Sequence, residues 1–222
     1  MNSIDKHIVA IDLGTSKIAL TVAKVEGNDV QIIYYKETES AGMSYSSVYN
    51  VTRVSNALSS AISQAEEELN IKITQAVVGM PKFPIKKVNA NAEIGGRGED
   101  TDITDEDIDA LKSFAQDSYP LENSEKEAIF GAVAQSFSDG ENFQIIEEDI
   151  VGMTSDVLEG NFKIFIGKRS DLNKVDQVMT RCGITAIQKF FTADTTAKAV
   201  LNSSEMENGV AMIDFGAGST SV

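Results

Sequence analysis

The chain holds one cysteine, Cys182, one histidine, His7, three prolines and no tryptophan in 222 residues. A lone cysteine excludes an internal disulfide and fits a reducing compartment, so the cytoplasm is the expected location. His7 stands in an apolar strand pattern beside Ile8, which suits a structural or surface role rather than that of a catalytic base. No His, Cys and Asp set has zinc-ligand spacing, and there is no Walker-type lysine loop. Basic residues are scarce: 19 Lys and Arg against 34 Asp and Glu leave a net charge of −15. That balance argues against nucleic acid as a partner, which needs a basic face to displace counterions. It also disfavours direct adhesion to anionic lipid. No apolar run approaches the roughly 20 residues that span a bilayer, and the polar stretch 1–6 does not read as a secretory signal.

What is present is an ordinary apolar content of 42%, enough to expect a packed core. Apolar patterning predicts a meander of strands over 7–12, 17–25 and 30–38, turning at Gly14–Ser16 and at Gly27-Asn28-Asp29. A polar loop, 40–50, precedes a helix whose apolar stripe is Val54, Ala57, Leu58, Ala61, Ile62, Ala65 and Leu69. A buried strand, 76–80, stops at Pro81. Residues 82–98, basic and then glycine-rich, read as an extended arm. Thr104 and Asp107 form a capping box for an acidic helix carrying Ile108, Leu111 and Phe114.

Strands are expected over 128–137 and 158–166, although Glu127–Ala134 also has helical propensity. A helix over 171–181 has Ser170 as its N-cap and Gly183 as its stop. A strand at 184–191, a short helix at 195–201 and a strand at 210–214 follow. The fold class is α/β, with 1–82 as a first subdomain, 83–165 as a small inserted α+β domain, and 166–222 as the return to the core. The acidic runs Glu66–Glu68 and Glu99–Asp109 read as solvated helix faces. Lys82, Lys86 and Lys87 form one basic patch, either a lysine-guarded edge strand or a contact for an acidic partner.

The two ends of the chain repeat one motif. Val9-Ala10-Ile11-Asp12-Leu13-Gly14-Thr15-Ser16 near the start matches Ala211-Met212-Ile213-Asp214-Phe215-Gly216-Ala217-Gly218-Ser219 near the finish. Each is an apolar strand ending in Asp, an apolar residue and Gly, then small or hydroxyl residues. Such a turn lets backbone N–H groups approach a phosphate, with glycine supplying the backbone freedom. Ser and Thr add donors, and an Asp at the strand end suits a hydrated Mg²⁺. One such turn is commonly only a hairpin; the pair points to phosphate binding.

The stretch IVAIDLGTSKIAL resembles the first phosphate loop of the actin-like ATPases, AMIDFGAGSTSV resembles the second, and TTAKAVL resembles the helix connecting the halves. IDLGTSK, together with an insertion closing on GMTSDVLEGNFKIFIGKR, is similar to the FtsA branch of bacterial cell-division proteins. The resemblance covers the chain and is loosest over 82–150.

It implies an actin-like (ribonuclease H-like) domain with a small inserted domain of the SHS2 type. It also implies ATP and Mg²⁺ as cofactors, with Asp12 and Asp214 at the metal. Gly14, Thr15, Ser16 and Lys17 then lie on one side of the phosphates, and Gly216, Gly218, Ser219 and Thr220 on the other. Lys17 reads equally as a solvated hairpin residue. Asp194 and Lys198 stand where relatives place the residue that orients water, but neither matches it, so at most slow ATP hydrolysis is expected of the full-length parent and none of this chain alone.

FtsZ and other division proteins, self-association into filaments, and membrane contact at the division site through a later segment are further implications. On the family pattern the chain stops before its second half and its nucleotide site are complete, so as it stands it is expected to bind ATP weakly or not at all. A PilM-type pilus-assembly homologue, a sugar or acetate kinase of the same superfamily, and a partner-binding module without nucleotide activity are the alternatives.

Overall fold

The computed structural model describes residues 6–27, 29–81, 85–98 and 101–222, apart from the side chains of Lys6 and Glu207. Expectations placed on residues 1–5, Asn28, Lys82 and residues 99–100 lie outside these. The chain forms two compact units, Met1–Phe83 with Ser170–Val222, and Pro84–Arg169.

In the first unit β1 (Lys6–Leu13), β2 (Lys17–Glu26) and β3 (Asp29–Glu39) make an antiparallel meander. A small ladder, β4 (Met43–Ser44) with β5 (Ser47–Val48), leads into α1 (Val51–Leu69). Strand β6 (Gln75–Met80) then runs parallel to β1. The second unit contributes β7 (Lys86–Ile94), α2 (Asp105–Ser118), β8 (Glu127–Ser138), α3 (Glu147–Ile150) and β9 (Leu158–Lys168). The chain goes on through α4 (Arg169–Arg181), β10 (Thr185–Phe191), α5 (Thr192–Val200), α6 (Ser203–Asn208), β11 (Asp214–Phe215) and β12 (Thr220–Ser221).

The first unit is built on a sheet ordered β10-β6-β1-β2-β3, with β10 parallel to β6. Parallel pairing requires crossovers: α1 lies between β3 and β6 in sequence, and α4 precedes β10. Alternation in β2 sends Ile18, Leu20 and Val22 wholly into the core. Helix α1 packs on β2 and β3, and its buried stripe is Val54, Leu58, Ala61, Ile62 and Ala65. Asn50 caps α1 by accepting from the Arg53 N–H at 3.0 Å, and Asn70 ends it in the left-handed region at φ 52°.

Glu66 departs from its expected role as part of a solvated face. It accepts from the Ile73 N–H at 2.8 Å and from Lys72 Nζ at 2.9 Å, tying the loop after α1 to the helix. Those bonds, the backbone one first, hold its carboxyl below the usual range.

The second unit has its own sheet, ordered β7-β9-β8 and antiparallel throughout. Residues 127–134 are strand rather than helix. Ala128, Phe130 and Ala132 are all buried, Ala132 in the core cluster, and β9 supplies a ladder, broken by shifts at Ile129/Gly131 and Ala134/Ser136, that outweighs local helix preference. Phe137 and Phe162 meet edge to face at 6.1 Å, among Leu111, Ile150 and Leu158.

The capping box forms as expected, with Thr104 and Asp107 bonded reciprocally. The buried stripe of α2 is Ile108, Leu111 and Ala115, and Phe114 falls beside that stripe at 52% exposure. β7 is an edge strand. Lys86 on it pairs with Glu122 at 2.9 Å.

Two expected elements shift. Helix α4 begins at Arg169, directly after β9, so Ser170 lies within the helix instead of capping it. The strand foreseen over 210–214 reduces to Asp214–Phe215, whose ladder partner is β12. Val210 and Ile213 are apolar but half exposed. A period-two pattern becomes a strand only where a neighbouring strand satisfies its backbone.

Candidate functional site

Strands β1, β6 and β10 run parallel, and their carboxyl ends open into a cleft of about 560 Å³ in the first unit. Ligands of open α/β sheets bind at such ends. β1 brings Asp12 to the cleft and the following turn brings Gly14, Thr15, Ser16 and Lys17. β11 brings Asp214, and its turn brings Gly216, Gly218 and Ser219. Thr220, on β12, is not among the lining residues. The two copies of the repeat thus line one cavity.

Both turns close in the same way. The Gly14 N–H donates to the Lys17 carbonyl at 3.0 Å, and the Gly216 N–H donates to the Ser219 carbonyl at 2.9 Å. A Cβ on Gly14 would stand 2.6 Å from Lys17 O, and one on Gly216 would stand 2.8 Å from Ser219 O. The sequence suggested glycine here for its backbone freedom. Neither residue has positive φ, so the requirement is for space beside the closing carbonyl.

Gly218 is also constrained by close approach. A Cβ there would meet Thr15 Oγ1 at 2.4 Å, so the second turn rests against the first. Gly79 of β6 makes room for the Asp12 carboxylate, whose Oδ1 would lie 3.0 Å from an added Cβ.

Sequence reasoning missed two contributors. Ser46, between β4 and β5, is buried and lies between the turns. Its N–H donates to Thr15 Oγ1 at 3.1 Å, and its hydroxyl shares a 2.7 Å bond with Ser219 Oγ. Tyr45 and Ser46 both hold positive φ, 46° and 58°. They are the two central residues of the β4–β5 hairpin, where the favoured two-residue turn takes positive φ at both places, at a cost of roughly 1–2 kcal/mol for a non-glycine residue. A pair such as Tyr-Ser carries no turn signal in sequence. The second contributor is the start of α5, where Thr192, Thr195 and Thr196 line the cleft. The Thr192 hydroxyl donates to the Met80 carbonyl at 3.1 Å.

Charge in the cleft is mostly negative. Lys17 is paired with Glu37, which also accepts from the Tyr35 hydroxyl. The hydrogen bond with Glu37 raises the Lys17 pKa, and the same bond lowers that of Glu37. Asp194 and Lys198 pair with each other at 3.9 Å and do not line the cleft.

Among the described residues no group of three or more His, Cys, Asp or Glu could enclose a metal ion by itself. Asp12 and Asp214 are the carboxylates that could hold a hydrated Mg²⁺, an ion that takes one or two carboxylates and completes its shell with water and substrate phosphates. Cys182 lies away from the cleft, bonded to Ser59 and to the Ser55 carbonyl, and burial raises its thiol pKa.

A mixed sheet with meander and crossover strands, and paired Asp-apolar-Gly turns on one cleft, defines an α/β protein of the actin-like class. A solved PilM–PilN type IV pilus biogenesis complex shares this fold at a TM-score of 0.50 and 10% identity, covering 86% of this chain and 49% of that one. In sequence the chain is similar to bacterial cell-division protein FtsA across nearly its whole length. FtsA of Streptococcus pneumoniae is 29% identical over 213 residues, 96% of this chain and 45% of that protein. FtsA of Neisseria meningitidis is 25% identical over 224 residues, and FtsA of Enterococcus hirae 27% over 214. The chain spans about half the length of the curated relatives it matches. No protein-family model matches it.

Proposed function

We propose that this chain is the nucleotide-binding front of an actin-like cell-division protein, one that takes ATP with Mg²⁺ between its two glycine turns. The supporting observation is that both turns, closed by the same N–H to carbonyl bond and each preceded by an Asp, line one cleft. In this reading the turn N–H groups and the hydroxyls of Thr15, Ser16 and Ser219 hold phosphate oxygens, each charge-assisted bond contributing about 1.5–3 kcal/mol. Asp12 and Asp214 hold the hydrated metal, which supplies the positive charge that an acidic cleft lacks. Lys17 reaches phosphate only by leaving Glu37. Thr220 is kept as a second-turn donor on the family pattern.

The likeness to FtsA supports a role in division at the inner face of the cell membrane, with FtsZ as partner and with self-association into filaments. Among the described residues no helix is long and apolar enough to cross a membrane. Contact with the bilayer through a later segment is taken from the family pattern alone. The unit Pro84–Arg169 is read as the inserted SHS2-type domain and as a protein-interaction surface. Hydrolysis is at most slow, because neither Asp194 nor Lys198 matches the residue that orients water on the family pattern.

Equilibrium titration with ATP and Mg²⁺, on a chain extended to the length of its FtsA relatives, tests the reading. Asp12→Ala and Asp214→Ala are each expected to weaken binding at least about tenfold, roughly 1.4 kcal/mol. Unchanged affinity in both variants removes the site.

A further inference from the structure

We infer that Ser46 is a positioning residue of this cleft, a clasp that sets how the second glycine turn sits against the first. The inference rests on the phosphate reading of the cleft. It concerns a residue outside both copies of the repeat.

Three observations converge on Ser46. Its two polar groups are divided between the turns: the backbone N–H serves Thr15 Oγ1 of the first, and the hydroxyl meets Ser219 Oγ of the second. It is buried, 7% exposed, in a loop whose neighbours Tyr45 and Tyr49 are well exposed. It also holds φ 58° as the second central residue of the two-residue β4–β5 hairpin, a turn form that takes positive φ at both places and so fixes where Ser46 stands.

β11 and β12 pair as a two-residue ladder. Gly218 touches Thr15, and Ser46 N also lies 3.0 Å from where a Gly218 Cβ would stand. Ser46 therefore stands at the junction of the turns, and its hydroxyl is a polar group that ties the second turn into place. A triphosphate gripped from both sides requires the turns at a set spacing, because a donor displaced by an ångström no longer makes its bond. Ser46 meets that requirement before any ligand arrives.

Two readouts test the clasp. The first needs no nucleotide: amide hydrogen exchange across residues 214–221 in the wild type, Ser46→Ala, Ser219→Ala and the double variant. Each single substitution is expected to accelerate exchange about tenfold, and the double no more than either single. Unchanged exchange in Ser46→Ala, or additive acceleration in the double, overturns the clasp. Ser46→Gly drops the hydroxyl while easing the φ 58° backbone, and it replaces Ser46→Ala if that variant fails to fold.

The second readout is affinity for ATP with Mg²⁺, expected to fall about five- to tenfold in each single variant without further loss in the double. Accelerated exchange with wild-type affinity overturns the positioning role. If the wild type, extended to the length of its FtsA relatives, binds no ATP, the nucleotide reading fails, and the positioning role falls with it, while the exchange data still decide whether the clasp exists.

Discussion

A single methyl group at Gly14 or Gly216 would press on the carbonyl oxygen that closes its turn, at 2.6 and 2.8 Å. Neither carbonyl can withdraw without losing the N–H bond it accepts. Gly14→Ala and Gly216→Ala are therefore expected to distort the turns, to cost about 1–3 kcal/mol in stability, and to weaken ATP binding at least about tenfold. Gly27→Ala supplies the contrast. Its φ is +62° with nothing near the added Cβ, so it should cost about 1 kcal/mol and leave affinity alone. Denaturation midpoints and ATP titrations on the three variants separate the two effects. Equal affinity losses in all three would remove the special status of the turns.

Among the elements, α2 is the one whose start is most heavily invested in polar contacts. The Asp107 carboxylate accepts from the Thr104 N–H and hydroxyl, both at 2.9 Å, and pairs with Arg97 at 2.7 Å. The Arg97 side chain is only 8% exposed, so removing its partner strands a largely buried charge. Asp107→Ala is expected to cost about 3 kcal/mol, the reciprocal half of the capping box and the pair being lost together while the Thr104 cap stays. Urea unfolding should show it. A loss below about 1 kcal/mol would mean that Arg97 finds another partner.

Asp107, Glu66 and Asp139 share one electrostatic sign. Backbone N–H groups of Thr104, Ile73 and Asn142 are the first cause of the lowered pKa of each. A carboxyl depressed in the folded state binds its proton more readily when unfolded. Its contribution is therefore present above the ordinary carboxylate pKa near 4 and is lost as pH falls through the lower folded value. The urea midpoint should hold between pH 7 and 5 and drop below pH 4. A midpoint that stays level down to pH 2.5 contradicts this.

At the scale of the molecule, two units carry separate cores. Phe137 and Phe162 belong to the core of Pro84–Arg169, and Ile18, Leu20 and Leu58 to that of the other unit. Phe162→Ala removes a 1% exposed ring and is expected to cost about 3–5 kcal/mol. Hydrogen exchange should accelerate in β7, β8 and β9 while β1, β2 and β6 keep their protection. Uniform acceleration throughout would show the two units unfolding as one.

The pattern of residues by itself determined the meander, α1, the capping box of α2 and the recurrence of Asp-apolar-Gly. Each is encoded within a few neighbouring positions, where spacing alone decides which side chains share a face and which N–H groups need a cap. The tertiary structure decided what depends on partners far along the chain. It made 127–134 a strand through the β9 ladder, and it shortened the strand expected before Asp214. It gave glycine a steric rather than a torsional reason in both turns. It also set Ser46 between the turns, bonded to a serine 173 residues away. A hydrogen bond across such a separation leaves no periodicity and no local propensity, because it exists only once the intervening sheet has brought both ends to the same place.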